Sequence, residues 1–93
     1  MAITYDPEKR RLTMLNRQLD FEDAAEIFKG IHYTSYDRRR EYGEDRLISV
    51  GLLNGEEVVV VWTERDQGKR VISMRKASKD ERRNFREWLD RSR

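Results

Sequence analysis

The side chains of this sequence that can do chemistry are arginine, lysine, glutamate and tyrosine. They gather in one stretch: Trp62-Thr63-Glu64-Arg65, then Arg70-Val71-Ile72-Ser73-Met74-Arg75-Lys76-Ala77 beyond a short turn. There is no cysteine, and His32 is the only histidine. Cysteine nucleophiles, disulfides, thiolate metal sites and multi-histidine metal centres are therefore excluded. A hydrolase triad is not expected, an unusual Ser-Lys type excepted. Asp and Glu alone retain the ability to bind a hard cation. Gly43, Gly51, Gly55 and Gly68 are scattered, so no phosphate-cradling loop is formed. The remaining inventory suits cleavage of RNA by internal attack of the 2′-hydroxyl. A carboxylate takes the proton, Arg and Lys stabilise the phosphate charge, and Tyr, His or Lys protonates the leaving oxygen.

Within that chemistry, Arg75 and Lys76 are the first candidates for phosphate contact. Arg65 falls on the same alternation as Arg75, and each could hold a phosphate bidentately. Glu64 is the candidate general base, unless it only pairs across strands with Arg70 or Lys76. Arg70 and Ser73 complete the cluster, and His32 is a possible proton donor at the substrate. Arg38-Arg39-Arg40 reads as a loop suited to RNA backbone or an acidic protein surface. Tyr33, Tyr36 and Tyr42 are possible base-stacking residues. Trp62 reads as core.

These residues must be positioned by one small domain spanning residues 1–93. Hydrophobic residues make up 37% of the 93 and charged residues 41%, so the surface is dense with charge. No apolar run approaches bilayer length and no signal-peptide pattern opens the chain, so a soluble, cytoplasmic protein is expected. The net charge of +2 hides an asymmetry. Residues 1–64 carry 9 Lys/Arg against 13 Asp/Glu, and residues 65–93 carry 11 against 5. A basic final third points to an anionic partner.

The elements follow from local signals. Ala2-Ile3-Thr4-Tyr5 reads as a strand. Asp6-Pro7 opens a helix whose stripe is Leu12, Leu15 and Leu19. A second helix runs from Asp20, with Phe21, Ala24, Ala25 and Phe28 inward, to Gly30. Ile31–Tyr36 reads as a strand. Arg46–Leu53 and Glu56–Glu64 form a hairpin about Asn54-Gly55, a type I′ signature. Lys69–Lys76 follows the turn Asp66-Gln67-Gly68. Ser78-Lys79-Asp80-Glu81 is a capping box for a final helix offering Phe85, Trp88 and Leu89 to the core. The expected fold is α+β, in the order β-α-α-β-β-β-β-α. A twisted antiparallel sheet carries its helices mainly on one face. Alternation leaves Ser49, Thr63, Arg65, Val71, Ser73 and Arg75 together on a mixed face.

The cluster from Trp62 to Ala77 resembles the BrnT toxins of bacterial type II toxin–antitoxin systems. So do Tyr5-Asp6-Pro7-Glu8-Lys9, Leu19 through Phe28, Asp37-Arg38, Tyr42-Gly43-Glu44-Asp45-Arg46 and Gly51. The resemblance covers almost the whole chain, in order. It implies a ribonuclease toxin with a RelE-like fold that reduces translation by cutting RNA, without metal or cofactor. It also implies a BrnA-like ribbon-helix-helix antitoxin, a 2:2 heterotetramer, and operator DNA bound only through that antitoxin. Lys9, in the opening Asp6-x-x-Lys9, then becomes a candidate for approaching the substrate. The sequence departs from the family at Asn16-Arg17-Gln18, where Lys-His-Gly is usual, so Gln18 stands in place of glycine or histidine. Phe85 stands where many relatives have tyrosine. A catalytically silent RNA- or partner-binding module of the same fold is the alternative. A repressor acting alone is disfavoured, since no helix-turn-helix or basic ribbon stands out.

Overall fold

The computed structural model describes residues 2–39, 41–66 and 68–92. Arg40 of the arginine run and Gln67 of the expected turn lie outside the described residues.

Strand β1 is Ala2–Thr4. Asp6 then caps helix α1, Pro7–Arg17: its carboxylate accepts the Glu8 amide, and Pro7 occupies the first helical turn. Asp20 caps a short 3₁₀ turn, Phe21–Asp23, which runs into helix α2, Ala24–Lys29. Strands β2 (His32–Tyr36), β3 (Leu47–Leu53), β4 (Glu56–Arg65) and β5 (Gly68–Lys76) follow. Helix α3, Lys79–Arg91, begins at the capping box that Ser78 and Glu81 complete. This is the expected element order. Asn54 and Gly55 have φ of 52° and 81°, as the type I′ hairpin requires.

The five strands lie in the order β1-β5-β4-β3-β2. All neighbours are antiparallel except β1 and β5, so the sheet is mixed. One face packs against the α1–α2 segment. Leu19, Phe21, Ala24, Ile27 and Phe28 meet Val58, Val60, Trp62, Val71 and Met74 there. The other face is partly covered by α3, whose Phe85 and Leu89 are buried and whose Trp88 ring lies 5.3 Å from that of Tyr33.

Three local expectations are corrected. Ser49 belongs to the core face, because the register sets it opposite Val60. Its buried hydroxyl accepts from Trp62 Nε1 at 2.9 Å and meets Thr34 Oγ1 at 2.7 Å, so the polar group is satisfied. Val71 also faces the core. Val61 pairs with Ser73 but Trp62 with Val71, so Ile72 is the extra residue of a β-bulge that reverses the alternation. In α1, Leu12 and Leu15 are 41% and 65% exposed. The helix reaches β5 through Arg17, which donates to the Met74 carbonyl at 2.7 Å, and only Leu19 of the stripe is buried.

Candidate functional site

The bulge and the sheet edge build a cleft at one corner of the molecule. Thr63 and Arg70 are direct cross-strand partners, and Arg70 is also opposite Thr4. The chain leaving β1 therefore delivers Asp6 and Lys9 to the corner where Arg70 stands. Arg65 follows Thr63 by two residues and so shares its face. Residues 44–46 close the cleft from the other side. Thr63 Oγ1 donates to the Asp45 carbonyl at 2.7 Å. Glu44 accepts from Arg65 Nη2 at 2.8 Å and from Arg46 Nε at 3.3 Å. The enclosed volume is about 230 Å³, lined by four cations (Lys9, Arg46, Arg65 and Arg70) and two carboxylates (Asp6 and Glu44).

Residues 37–39 and 41–46 are tied down by their own contacts. The Asp37 side chain is fully buried. It accepts from Arg39 at 2.8 and 2.7 Å and from the Tyr42 hydroxyl at 3.1 Å. The Arg39 guanidinium holds the Asp37 carboxyl far below the usual carboxylate range. The Asp37 amide donates to the Arg46 carbonyl at 2.8 Å, and the Arg46 guanidinium lies 4.0 Å from the Tyr42 ring centroid. The loop thus presents Glu44 and Arg46 at fixed positions. Hydrogen bonding from Arg65, then Arg46, lowers the Glu44 pKa, so this carboxylate is ionised at neutral pH.

Of the residues singled out in the sequence, Lys9, Arg65 and Arg70 meet in this cleft. The others stand apart. Arg75 donates two hydrogen bonds to Glu81, at 2.7 and 2.9 Å, at the start of α3. That contact pushes the Glu81 carboxyl down to about 2. The ladder partners of Arg75 and Arg70 are Val59 and Thr63, four residues apart on β4, which is about 13 Å. Arg39 lies near enough to Arg75 for their charges to oppose each other, and each is paired with a carboxylate, Asp37 and Glu81 respectively. Lys76 pairs with Glu56 at 3.3 Å. Ser73 is half-buried opposite Val61. Glu64 is exposed opposite Lys69, one position out of phase with Arg65. His32 lies at the far edge, its Nδ1 2.8 Å from the Gly30 carbonyl and its ring 5.6 Å from Phe28.

Sequence reasoning missed Glu44 and Arg46 as site residues. The available signal was Tyr42–Arg46, a stretch that carries the family resemblance without a recognisable catalytic pattern. Among the described residues, no three His, Asp or Glu side chains converge as a metal-holding group. Among the same residues, no helix is long and apolar enough to cross a membrane.

The model of one protein family, described as the ribonuclease toxin, BrnT, of type II toxin–antitoxin systems, matches residues 5–81 of the 93. No curated protein matches the sequence. The matched span contains the whole cleft, from Asp6 to Ile72. It covers most of the chain, and the chain therefore belongs to the BrnT family of ribonuclease toxins.

Proposed function

We propose that the cleft cuts RNA by internal transesterification without a metal ion. The observation that carries this reading is the convergence of Lys9, Arg46, Arg65 and Arg70 beside Glu44 in one cleft. The 2′-oxygen attacks the adjacent phosphorus, and the bond from phosphorus to the 5′-oxygen breaks. The proton of the 2′-hydroxyl passes to Glu44, the carboxylate already held among the cations. The departing 5′-oxygen takes a proton from the Lys9 ammonium. Arg65 and Arg70 stabilise the charge that accumulates on the non-bridging oxygens. The products are a 2′,3′-cyclic phosphate and a 5′-hydroxyl. Arg75 contacts flanking phosphates.

The partner in this reading is a BrnA-like ribbon-helix-helix antitoxin. It forms a 2:2 complex with the toxin and touches operator DNA through its own domain. The site of action is the cytoplasm.

The test is cleavage of a synthetic single-stranded RNA by the purified toxin, with and without EDTA, and analysis of the new ends. Cleavage is expected to persist in EDTA and to leave cyclic phosphate. Removing one donor to such a charge typically costs 10²–10³ in rate, so Arg65→Ala is expected to slow cutting by about that factor. Glu44→Gln should slow it as well, without loss of folding. Cleavage abolished by EDTA, or ends carrying 5′-phosphate, would overturn the mechanism. A folded toxin that binds RNA but neither cuts it nor arrests growth on induction is the silent module instead.

A further inference from the structure

Strand β2 terminates the sheet, and among the described residues no strand lies on its outer side. Open edges invite pairing, and natural proteins guard them with charge, proline or shortness. The opposite edge, β1, is only three residues long. β2 has five, His32-Tyr33-Thr34-Ser35-Tyr36, with no charge and no proline. The stretch Gly30–Tyr36 is uncharged in a chain that is 41% charged. Only Leu47–Gly55 is a longer uncharged run, and it contains β3, which is paired on both sides. The edge strand thus carries neither charge nor proline as a guard.

Beside this edge lies a groove of about 450 Å³, between the sheet and α3. Its floor is Ile48 and Val50, and Tyr33, Phe85 and Trp88 form its walls. Glu81, Glu87 and Arg91 also line it, and Glu81 is already paired with Arg75. A strand added to an open edge gains main-chain hydrogen bonds, and a flanking groove receives its alternate side chains. We propose that an extended, uncharged segment of the antitoxin adds a sixth strand to the outer edge of β2 and sets an apolar side chain in this groove. The proposal rests on reading the chain as the toxin of an antitoxin pair, and it does not depend on how RNA is cut. A second copy of this chain, paired β2 to β2, is the other occupant, and the test below separates the two.

The test uses the full-length toxin, alone and co-purified with the protein encoded by the adjacent gene. Amide hydrogen exchange at His32–Tyr36 is expected to slow by at least about tenfold in the complex, while Ala2–Thr4 at the opposite edge is unchanged. Ser35→Arg places a long charged side chain at the groove and is expected to weaken capture of that protein by about tenfold. RNA cleavage and melting temperature should stay as in the unsubstituted toxin. Unchanged exchange at β2 in the complex would overturn the proposal. So would β2 amides that are already slow in the toxin alone and become slower with toxin concentration, which would assign the edge to a second copy. Should Ser35→Arg not fold, exchange in the unsubstituted protein decides. Failure of the unsubstituted toxin to cut RNA counts against the proposed chemistry and leaves the exchange result at β2 intact.

Discussion

Gln18 closes α1 in the left-handed region, with φ 56° and ψ 36°. Its side chain returns little, a 3.2 Å hydrogen bond from Nε2 to the Leu15 carbonyl. Left-handed backbone costs a residue with a Cβ about 1 kcal/mol or more, and glycine almost nothing. Gln18→Gly is therefore expected to stabilise the fold by about 0.5–1 kcal/mol. In a domain of this size that is a rise in melting temperature of a few degrees, measurable by calorimetry. Asn54 and Asp66, the other non-glycine residues with positive φ among those described, are types that tolerate it. At this scale three cations of the cleft, Lys9, Arg65 and Arg70, stand out in the sequence as residue types with an obvious use. Glu44 and Arg46 do not, because their place in the cleft comes from how the chain before β3 folds, and no local pattern encodes that. The three tyrosines show the same limit. Tyr33 packs on Trp88, Tyr42 lies under Arg46, and Tyr36 remains 53% exposed with Arg38 over its ring.

Elements were legible where the signal is local. Asn54-Gly55 and the Ser78–Glu81 box each state their geometry within four residues, and both formed as expected. The bulge at Ile72 is different. It is a relation between two strands, so alternation along β5 alone placed Val71 on the wrong face. The exposed stripe of α1 fails for a similar reason, since periodicity reveals an apolar side but not whether anything covers it. Packing between elements yields a sharper expectation at Gly51. A Cβ there would stand 2.7 Å from Ile27 Cγ2 and 3.1 Å from His32 Cβ. Both α2 and the neighbouring strand close on β3 at this point, and Ile27 is fully buried. Gly51→Val is expected to cost about 1–3 kcal/mol, the usual range for overpacking a filled core. The check is a lower midpoint in urea unfolding with little change in slope, since the variant exposes the same surface on unfolding.

Across the whole molecule, 20 Lys/Arg and 18 Asp/Glu nearly cancel, and much of the charge is used in pairs. Arg10 holds Asp20 at 2.8 Å, Arg39 holds Asp37, Arg65 holds Glu44, and Arg75 holds Glu81. Arg39–Asp37 lies within one loop, and the other three join segments that the sheet ladder does not: α1 to the turn before α2, the loop at Glu44 to β4, and β5 to α3. In each, hydrogen bonding from the arginine lowers the carboxylate pKa. A carboxylate whose pKa is lower in the folded state adds stability that is fully present above its unfolded pKa. That stability is lost as pH falls towards the folded value. For Glu81 the window runs from the ordinary 4.5 down to about 2. Melting temperature is therefore expected to hold from pH 7 to about pH 5 and then fall steadily through that window. Solvent screens the partly exposed pairs, so each contributes less than its shift alone implies. Arg75→Ala separates this pair from the others. With its partner gone, the Glu81 carboxyl rises towards its ordinary pKa, and the fold loses less on acidification. The variant should melt lower than the parent at pH 7, and the gap between them should narrow at pH 3. A gap that stays constant with pH would mean that Arg75 stabilises through packing of its stem rather than through Glu81.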